Sequence, residues 1–204
     1  MSTKSVIVAL DIGTTKVCTL IAQKNGHSLD ILGVGSHPSN GLKKGSVVNI
    51  EKTVQSIKSS IEEAKLMAGL DDLESATIGI AGNHIYCFNS SGVVPVKNKD
   101  ITQSDVDRVI EAAKAVLIPS DREVIHVIPQ EFKVDNTTGI KNPIGMFGSR
   151  LEVNVHIVTG KTPLIHNLVK CVEQAGLNAN SIILQPLASS RSVLSQEEKE
   201  LGVV

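Results

Sequence analysis

The stretch Val6-Ile7-Val8-Ala9-Leu10-Asp11-Ile12-Gly13-Thr14-Thr15-Lys16 constrains the fold more than any other part of the chain. Its five leading apolar residues, three of them Val or Ile, predict a strand buried on both faces. The run ends on Asp11, and Gly13 admits a tight turn before a second strand, Val17 to Ala22. A carboxylate at a strand end, followed by Gly-Thr-Thr, suits a metal-bound phosphate. The turn's N–H groups and hydroxyls would donate to phosphate oxygens, and Asp11 would face Mg²⁺ through water. An ordinary β-hairpin with a Gly-Thr turn also accounts for these residues, because short motifs recur by chance.

The pattern that follows places this turn in a mixed sheet. Lys24-Asn25-Gly26-His27 reads as a hairpin turn, and Ser28 to Gly35 as a third strand. His37 to Ser46 is loop-like, with two lysines between Gly41 and Gly45 that could approach an anion or simply be solvated. A helix is expected from Ile50 to Ala68, capped by Asn49 and stopped by Gly69, with Val54, Ile57, Ile61, Ala64 and Ala68 on its buried face. Ala76 to Gly82 then reads as a buried strand. Three strands, a helix and a further strand predict an α/β fold with helices on the sheet.

From His84 the pattern changes. Ile85 to Ser90 and Gly92 to Val96 read as two short strands around a Ser-Gly turn. Thr102-Gln103-Ser104-Asp105 is a capping box opening a helix with Val106, Val109, Ile110, Ala113 and Val116 on one side and Pro119 at its end. Glu123 to Asp135 is β-rich, and Pro129 demands an edge or a bulge. A polar loop from Asn136 to Ser149 and a half-exposed strand from Arg150 to Thr159 complete this module. Thr162-Pro163 then starts a helix burying Leu164, Leu168, Val169 and Val172, followed by a buried strand, Ser181 to Gln185. Leu187 to Ser195 reads as a helix with Ala188, Val193 and Leu194 inward, Gln196 to Lys199 as a charged turn, and Leu201 to Val204 as the first residues of another strand. An apolar strand start is an unusual terminus and points to a truncated chain.

Composition removes several classes. The formal charge is −1, and Tyr86, Phe88, Phe132 and Phe147 are the only aromatics, so no nucleic-acid surface is expected. Cys18, Cys87 and Cys171 are far apart and fit buried free thiols in a reducing cytosol. Met1-Ser2-Thr3-Lys4 leads into a strand too short and mixed for a signal peptide, and no apolar run approaches the roughly 20 residues that span a bilayer. A soluble cytoplasmic protein is expected. His126 and His156 lack a ligand cluster and fit a core or surface role better than a metal site. Asp100, Asp105 and Asp107 sit where a helix dipole favours carboxylates, and no Ser/His/Asp set is present.

The whole chain resembles the first half of the FtsA family, bacterial cell-division proteins of the actin, sugar-kinase and Hsp70 superfamily. The resemblance rests on the Asp11 to Lys16 turn and on Gly33-Val34-Gly35-Ser36 with Gly41 to Gly45. It rests further on His126-Val127-Ile128-Pro129-Gln130-Glu131-Phe132 and Gly139-Ile140-Lys141-Asn142-Pro143-Ile144-Gly145. Leu187-Ala188-Ser189-Ser190 leading to Glu197 to Val203 completes it. It implies an actin-like (ribonuclease-H-like) first lobe from residues 1–83 and 160–200, an inserted interaction and polymerisation subdomain at 84–159, and the start of a second lobe at 201–204. It further implies ATP and Mg²⁺ as ligands, with phosphates on Gly13, Thr14 and Thr15, Lys16 and the Gly41 to Gly45 loop near the nucleotide, and Asp11 toward Mg²⁺ through water. No catalytic residue follows from it.

The resemblance also implies polymerisation at the septum, a link between the FtsZ ring and the cytoplasmic face of the inner membrane, and recruitment of later division proteins through residues 84–159. The membrane contact would come from a C-terminal amphipathic helix not found in these residues. The second phosphate loop and the adenosine-binding loop are likewise missing, so weak or no ATP binding is expected of this chain alone. The uncovered lobe should also expose apolar surface. Two alternatives remain: an FtsA-like pilus-assembly component, and a small-molecule kinase of the superfamily, for which no catalytic base stands out.

Overall fold

In the computed structural model, which describes residues 6–26 and 28–203, the opening apolar run is strand β1, Val6–Ile12. The chain continues through β2 (Lys16–Asn25), β3 (Ser28–Pro38), β4 (Leu42–Lys43), β5 (Ser46–Val47), helix α1 (Ile50–Ala68) and β6 (Ser75–Ile80). Next come β7 (Ile85–Pro95), α2 (Gln103–Lys114), β8 (Arg122–Val134), β9 (Thr137–Ile140) and β10 (Arg150–Lys161). Helix α3 (Thr162–Gln174), β11 (Asn178–Leu184), α4 (Gln185–Val193) and α5 (Gln196–Leu201) complete the order. The lead-in Met1 to Ser5, His27 of the expected hairpin turn and Val204 lie outside the described residues. Contacts divide the chain into two units, Met1–His84 with Thr162–Val204, and Ile85–Lys161.

The first unit is built on a sheet of order β11-β6-β1-β2-β3. The first three strands form the expected antiparallel meander, while β6 runs parallel to β1 and β11 parallel to β6. Burial follows a period of two: Val8, Leu10 and Ile12 of β1 are buried with Val17, Thr19 and Ile21 of β2 and Ala76, Ile78 and Ile80 of β6. Ile57, Ile61 and Ala64 of α1 and Ile165, Leu168, Cys171 and Val172 of α3 are buried as well, with α1 packed on β2 and β3 and against α3. The expectation of a strand buried on both faces is corrected here, because Val6 and Ile7 remain 39% and 40% exposed. β11 likewise is only partly buried. On α3 the expected Leu164 and Val169 are half-buried, and Ile165 and Cys171 take the inner positions.

Helix α1 has the predicted bounds. The Asn49 side chain accepts from the Lys52 amide at 2.9 Å, and Gly69, at φ 64°, donates its N–H to Lys65 O. Its buried stripe also contains Thr53, Ser56 and Ser60, whereas Val54 and Ala68 are half-buried. Small residues there let α1 approach β3 closely. A Cβ added at Gly35 would lie 2.7 Å from the Ala64 nitrogen, so only glycine fits that position. The short approach brings Thr19 Oγ1 within 2.8 Å of Ser60 Oγ in a site closed to solvent.

The second unit has a sheet of order β7-β10-β8-β9, with α2 packed against β7 and β10. Its core joins Val106, Val109 and Ala113 of α2 to Phe132, Val134, Leu151, Val153, Val155 and Ile157. The two short strands expected around Ser91-Gly92 are one continuous strand, β7, because β10 pairs with it without a break from Ile85 to Pro95. Gly92 marks a close approach of α2 rather than a turn: a Cβ there would lie 2.5 Å from the Ala113 nitrogen. Pro129 falls at a β-bulge, where the β8–β10 register shifts between Asn154 and Val155. Helix α2 stops at Lys114, well before Pro119, and part of the expected loop after Asp135 forms β9. Because β10 is a central strand, Ile157 to Gly160 are all buried and its far end loses the expected alternation.

The final segments depart furthest from expectation. Helix α4 buries none of its residues, with Ala188 exposed and Val193 at 73% exposure. Gln196 to Leu201 is a helix with a Ser195–Glu198 capping box, in place of a turn and a strand start. Of the three free thiols only Cys171 is buried, Cys18 being half-buried and Cys87 exposed.

Candidate functional site

Parallel pairing brings three strand ends to one edge of the first unit. Asp11 is level with Gly79, and Ile80 with Leu184. The residues that follow, Gly13, Gly82 and Gln185, therefore gather where open α/β sheets bind ligands, beyond the carboxyl ends of their parallel strands. A hollow of about 390 Å³ opens there, lined by Ile12, Gly13, Thr14, Lys44, Gly45, Ala81, Gly82, Asn83 and Gln185.

Lys44 and Gly45 reach this hollow on the tip of the β4–β5 hairpin. Leu42 pairs with Val47 and Lys43 with Ser46, leaving a two-residue turn whose φ values are 52° and 78°. Positive φ at both positions is what a type I′ turn requires, and Gly45 adopts it without strain. A Cβ at Gly45 would lie 2.8 Å from Gly82 Cα, so the tip meets the end of β6 backbone to backbone. The Gly45 amide also donates to Thr14 Oγ1 at 3.3 Å. Lys44 brings the one cationic side chain in this lining.

The predicted site residues separate into three groups. Gly13 and Thr14 line the hollow, but the Gly13 N–H already donates to Lys16 O at 2.9 Å. Asp11 lies beside it, in a second hollow of about 360 Å³ that includes Thr77, Gly79, Ile183 and Gln185. The Gln185 side-chain amide donates to Asp11 Oδ1 and lines both hollows. Thr15 and Lys16 are exposed and line neither; Thr15 O accepts from the Ser39 amide at 2.9 Å. Lys44 and Gly45 belong to the Gly41 to Gly45 loop, which the sequence offers as a possible anion contact; Gly82, Asn83 and Gln185 are the additions. Their signal in the sequence is slight: a glycine after one apolar strand, and a polar residue before proline after another.

Among the described residues no three His, Cys, Asp or Glu side chains form a metal-binding group. His156 Nδ1 is 2.8 Å from Asn89 Oδ1, a polar pairing on the second unit's sheet. No helix among the described residues is long and apolar enough to cross a membrane.

Residues 82–159 match the family described as the SHS2 domain inserted in FtsA. Over 198 residues the chain is 50% identical to the cell division protein FtsA of Pseudomonas aeruginosa, a match covering 97% of this chain and 47% of that protein. The chain belongs to the FtsA family. FtsA of Borreliella burgdorferi is 48% identical over 204 residues, covering 98% of this chain and 49% of that one. The chain thus spans about half the length of these FtsA relatives. Among solved structures, the PilM-PilN type IV pilus biogenesis complex is similar in fold, with a TM-score of 0.62 over 91% of this chain and 49% of that chain at 15% identity. The FtsA fold of this chain is actin-like, a mixed sheet with flanking helices and an inserted α/β module.

Proposed function

We propose that this FtsA chain supplies the phosphate-binding wall of an ATP site in a cell-division protein that polymerises at the septum. The observation that carries the reading is the convergence of three parallel strand ends on one hollow rimmed by glycine backbone, the Thr14 hydroxyl and Lys44. Such a rim suits phosphate oxygens, which accept from amides and hydroxyls and attract a lysine ammonium. Among the described residues, the Thr14 amide donates to no backbone carbonyl and is the hollow's candidate for phosphate from the turn; the Thr15 amide is likewise unengaged by backbone but lies outside the hollow. Gly13, whose N–H is engaged, would instead supply the close backbone approach, and Lys16 would act from outside the hollow as a neighbouring charge.

The donor set also fits a hydrated Mg²⁺. Asp11 is exposed, one of its oxygens is held by Gln185, and the other is available to ordered water. Bound there, the ion would neutralise phosphate charge. In this reading residues 1–83 and 160–200 form the nucleotide lobe, and residues 84–159 contact neighbouring subunits and later division proteins. The complete protein would link the FtsZ ring to the inner membrane.

Calorimetric titration with Mg·ATP tests the reading, on this chain and on a chain extended to the length of its relatives. Binding by the longer chain, abolished by Asp11→Ala with Thr14→Ala and weak or missing in the shorter one, is expected. A longer chain that ignores nucleotide would reduce the Gly13 turn to a hairpin.

A further inference from the structure

Gln185 joins the two hollows. It follows the last residue of β11 and opens α4, with Pro186 in that helix's first turn. Its side-chain amide donates to Asp11 Oδ1 and lies 3.4 Å from the Gly79 carbonyl oxygen. The path between β11 and β1 crosses β6 at Gly79, where a Cβ would lie 3.0 Å from Gln185 Cγ. A glycine at that crossing leaves the space that the glutamine stem occupies.

We propose that Gln185 is a positioning residue for Asp11, fixing the carboxylate's orientation before a ligand arrives. Asp11 stands exposed at a strand end, where an unrestrained carboxylate samples several rotamers. The Gln185 amide has two protons, one directed to Asp11 Oδ1 and one toward Gly79 O. Flipping the amide would set its oxygen against two acceptors, so the backbone of β6 decides which way it points. That leaves one Asp11 oxygen committed and one free. The inference rests on the reading of Asp11 as the residue facing hydrated Mg²⁺. It adds that β11, through a residue outside the glycine turn, sets how well Asp11 does so.

The test is a set of ATP dissociation constants for the full-length protein, measured with Mg²⁺ and with EDTA. Asp11→Ala, Gln185→Ala and Gln185→Met are compared with the native sequence. Methionine keeps the length of the side chain and removes the donor, separating hydrogen bonding from filling of the partition. Residues that orient ligating groups change metal affinity by about 10–100-fold, and the intervening water puts the loss here near the lower figure, about tenfold. Asp11→Ala should abolish the gain in ATP affinity on adding Mg²⁺. Both Gln185 variants should lose about tenfold more ATP affinity with Mg²⁺ than in EDTA.

Gln185 variants that keep the native gain while Asp11→Ala loses it overturn the positioning role and leave the ATP site standing. Equal losses with Mg²⁺ and with EDTA also overturn it, since they mark general damage to the hollow. If Asp11→Ala keeps the gain as well, the site reading fails and takes this inference with it.

Discussion

Thr19 and Ser60 offer a prediction in which the order of substitution decides the outcome. Both are fully buried, their hydroxyl oxygens are 2.8 Å apart, and Ser60 also donates to Ile57 O at 2.9 Å. With the serine proton committed to that carbonyl, Thr19 is the donor. Ser60→Ala strands the threonine proton where no water reaches it and should cost about 2 kcal/mol, less a few tenths for alanine's helix propensity. Thr19→Val leaves the bond to Ile57 O in place and should cost about 1 kcal/mol, the net worth of one hydrogen bond. The double variant puts two apolar side chains in contact and should fall within about 1 kcal/mol of the native protein, a coupling of about 2 kcal/mol. Urea unfolding followed by circular dichroism, at unchanged slope, measures all four corners. Single-variant costs that add within about 0.5 kcal/mol would refute the assignment of Thr19 as a donor with no other outlet.

The same contact zone predicts that Gly35→Ala, opposite Thr19 in the β2–β3 register, destabilises by about 1–3 kcal/mol, because its methyl meets the backbone of α1 rather than a side chain that could rotate away. A thermal midpoint unchanged from native would contradict that packing. In the second unit, the Asp105 carboxyl is held below its ordinary range by the Thr102 hydroxyl and amide, with Arg108 assisting and burial opposing. A lowered folded-state pKa means that Asp105 adds stability above the ordinary aspartate value and loses it as pH falls through the folded one. Thr102→Ala should cost about 1 kcal/mol at neutral pH and flatten the fall in urea midpoint on acidification below about pH 4. An acid response as steep as the native one would argue against this capping box as its source.

What could be read from the sequence was local. Asn49, Gly69 and the Thr102–Asp105 capping box act within a few residues of themselves, and the structure has each where the sequence suggests. The mixed α/β class followed from periodicity in the same way. Features set by distant partners were misread. Ser91-Gly92 looks like a turn until β10 is seen pairing through it, and the apolar run of β1 looks doubly buried although only Val8, Leu10 and Ile12, on one face, are buried. Val193 is exposed at 73% although its spacing suits an inward face. The candidate site divides along the same line. Asp11, Gly13 and Thr14 lie within four residues of one another and could be singled out, as could the Lys44 loop, whereas Gly82 and Gln185 come from two other segments and meet them only through parallel strand pairing. Thr15 and Lys16 follow the motif in sequence yet line neither hollow.

The central claim is that phosphate binds at the joined ends of β1, β6 and β11. Mapping amide chemical shifts of the full-length protein on adding Mg·ATP tests it most directly. Perturbations should concentrate at Gly13 to Thr15, Lys44, Gly45, Gly82 and Asn83. Perturbations confined to residues 85–161, or none at saturating nucleotide, would contradict it.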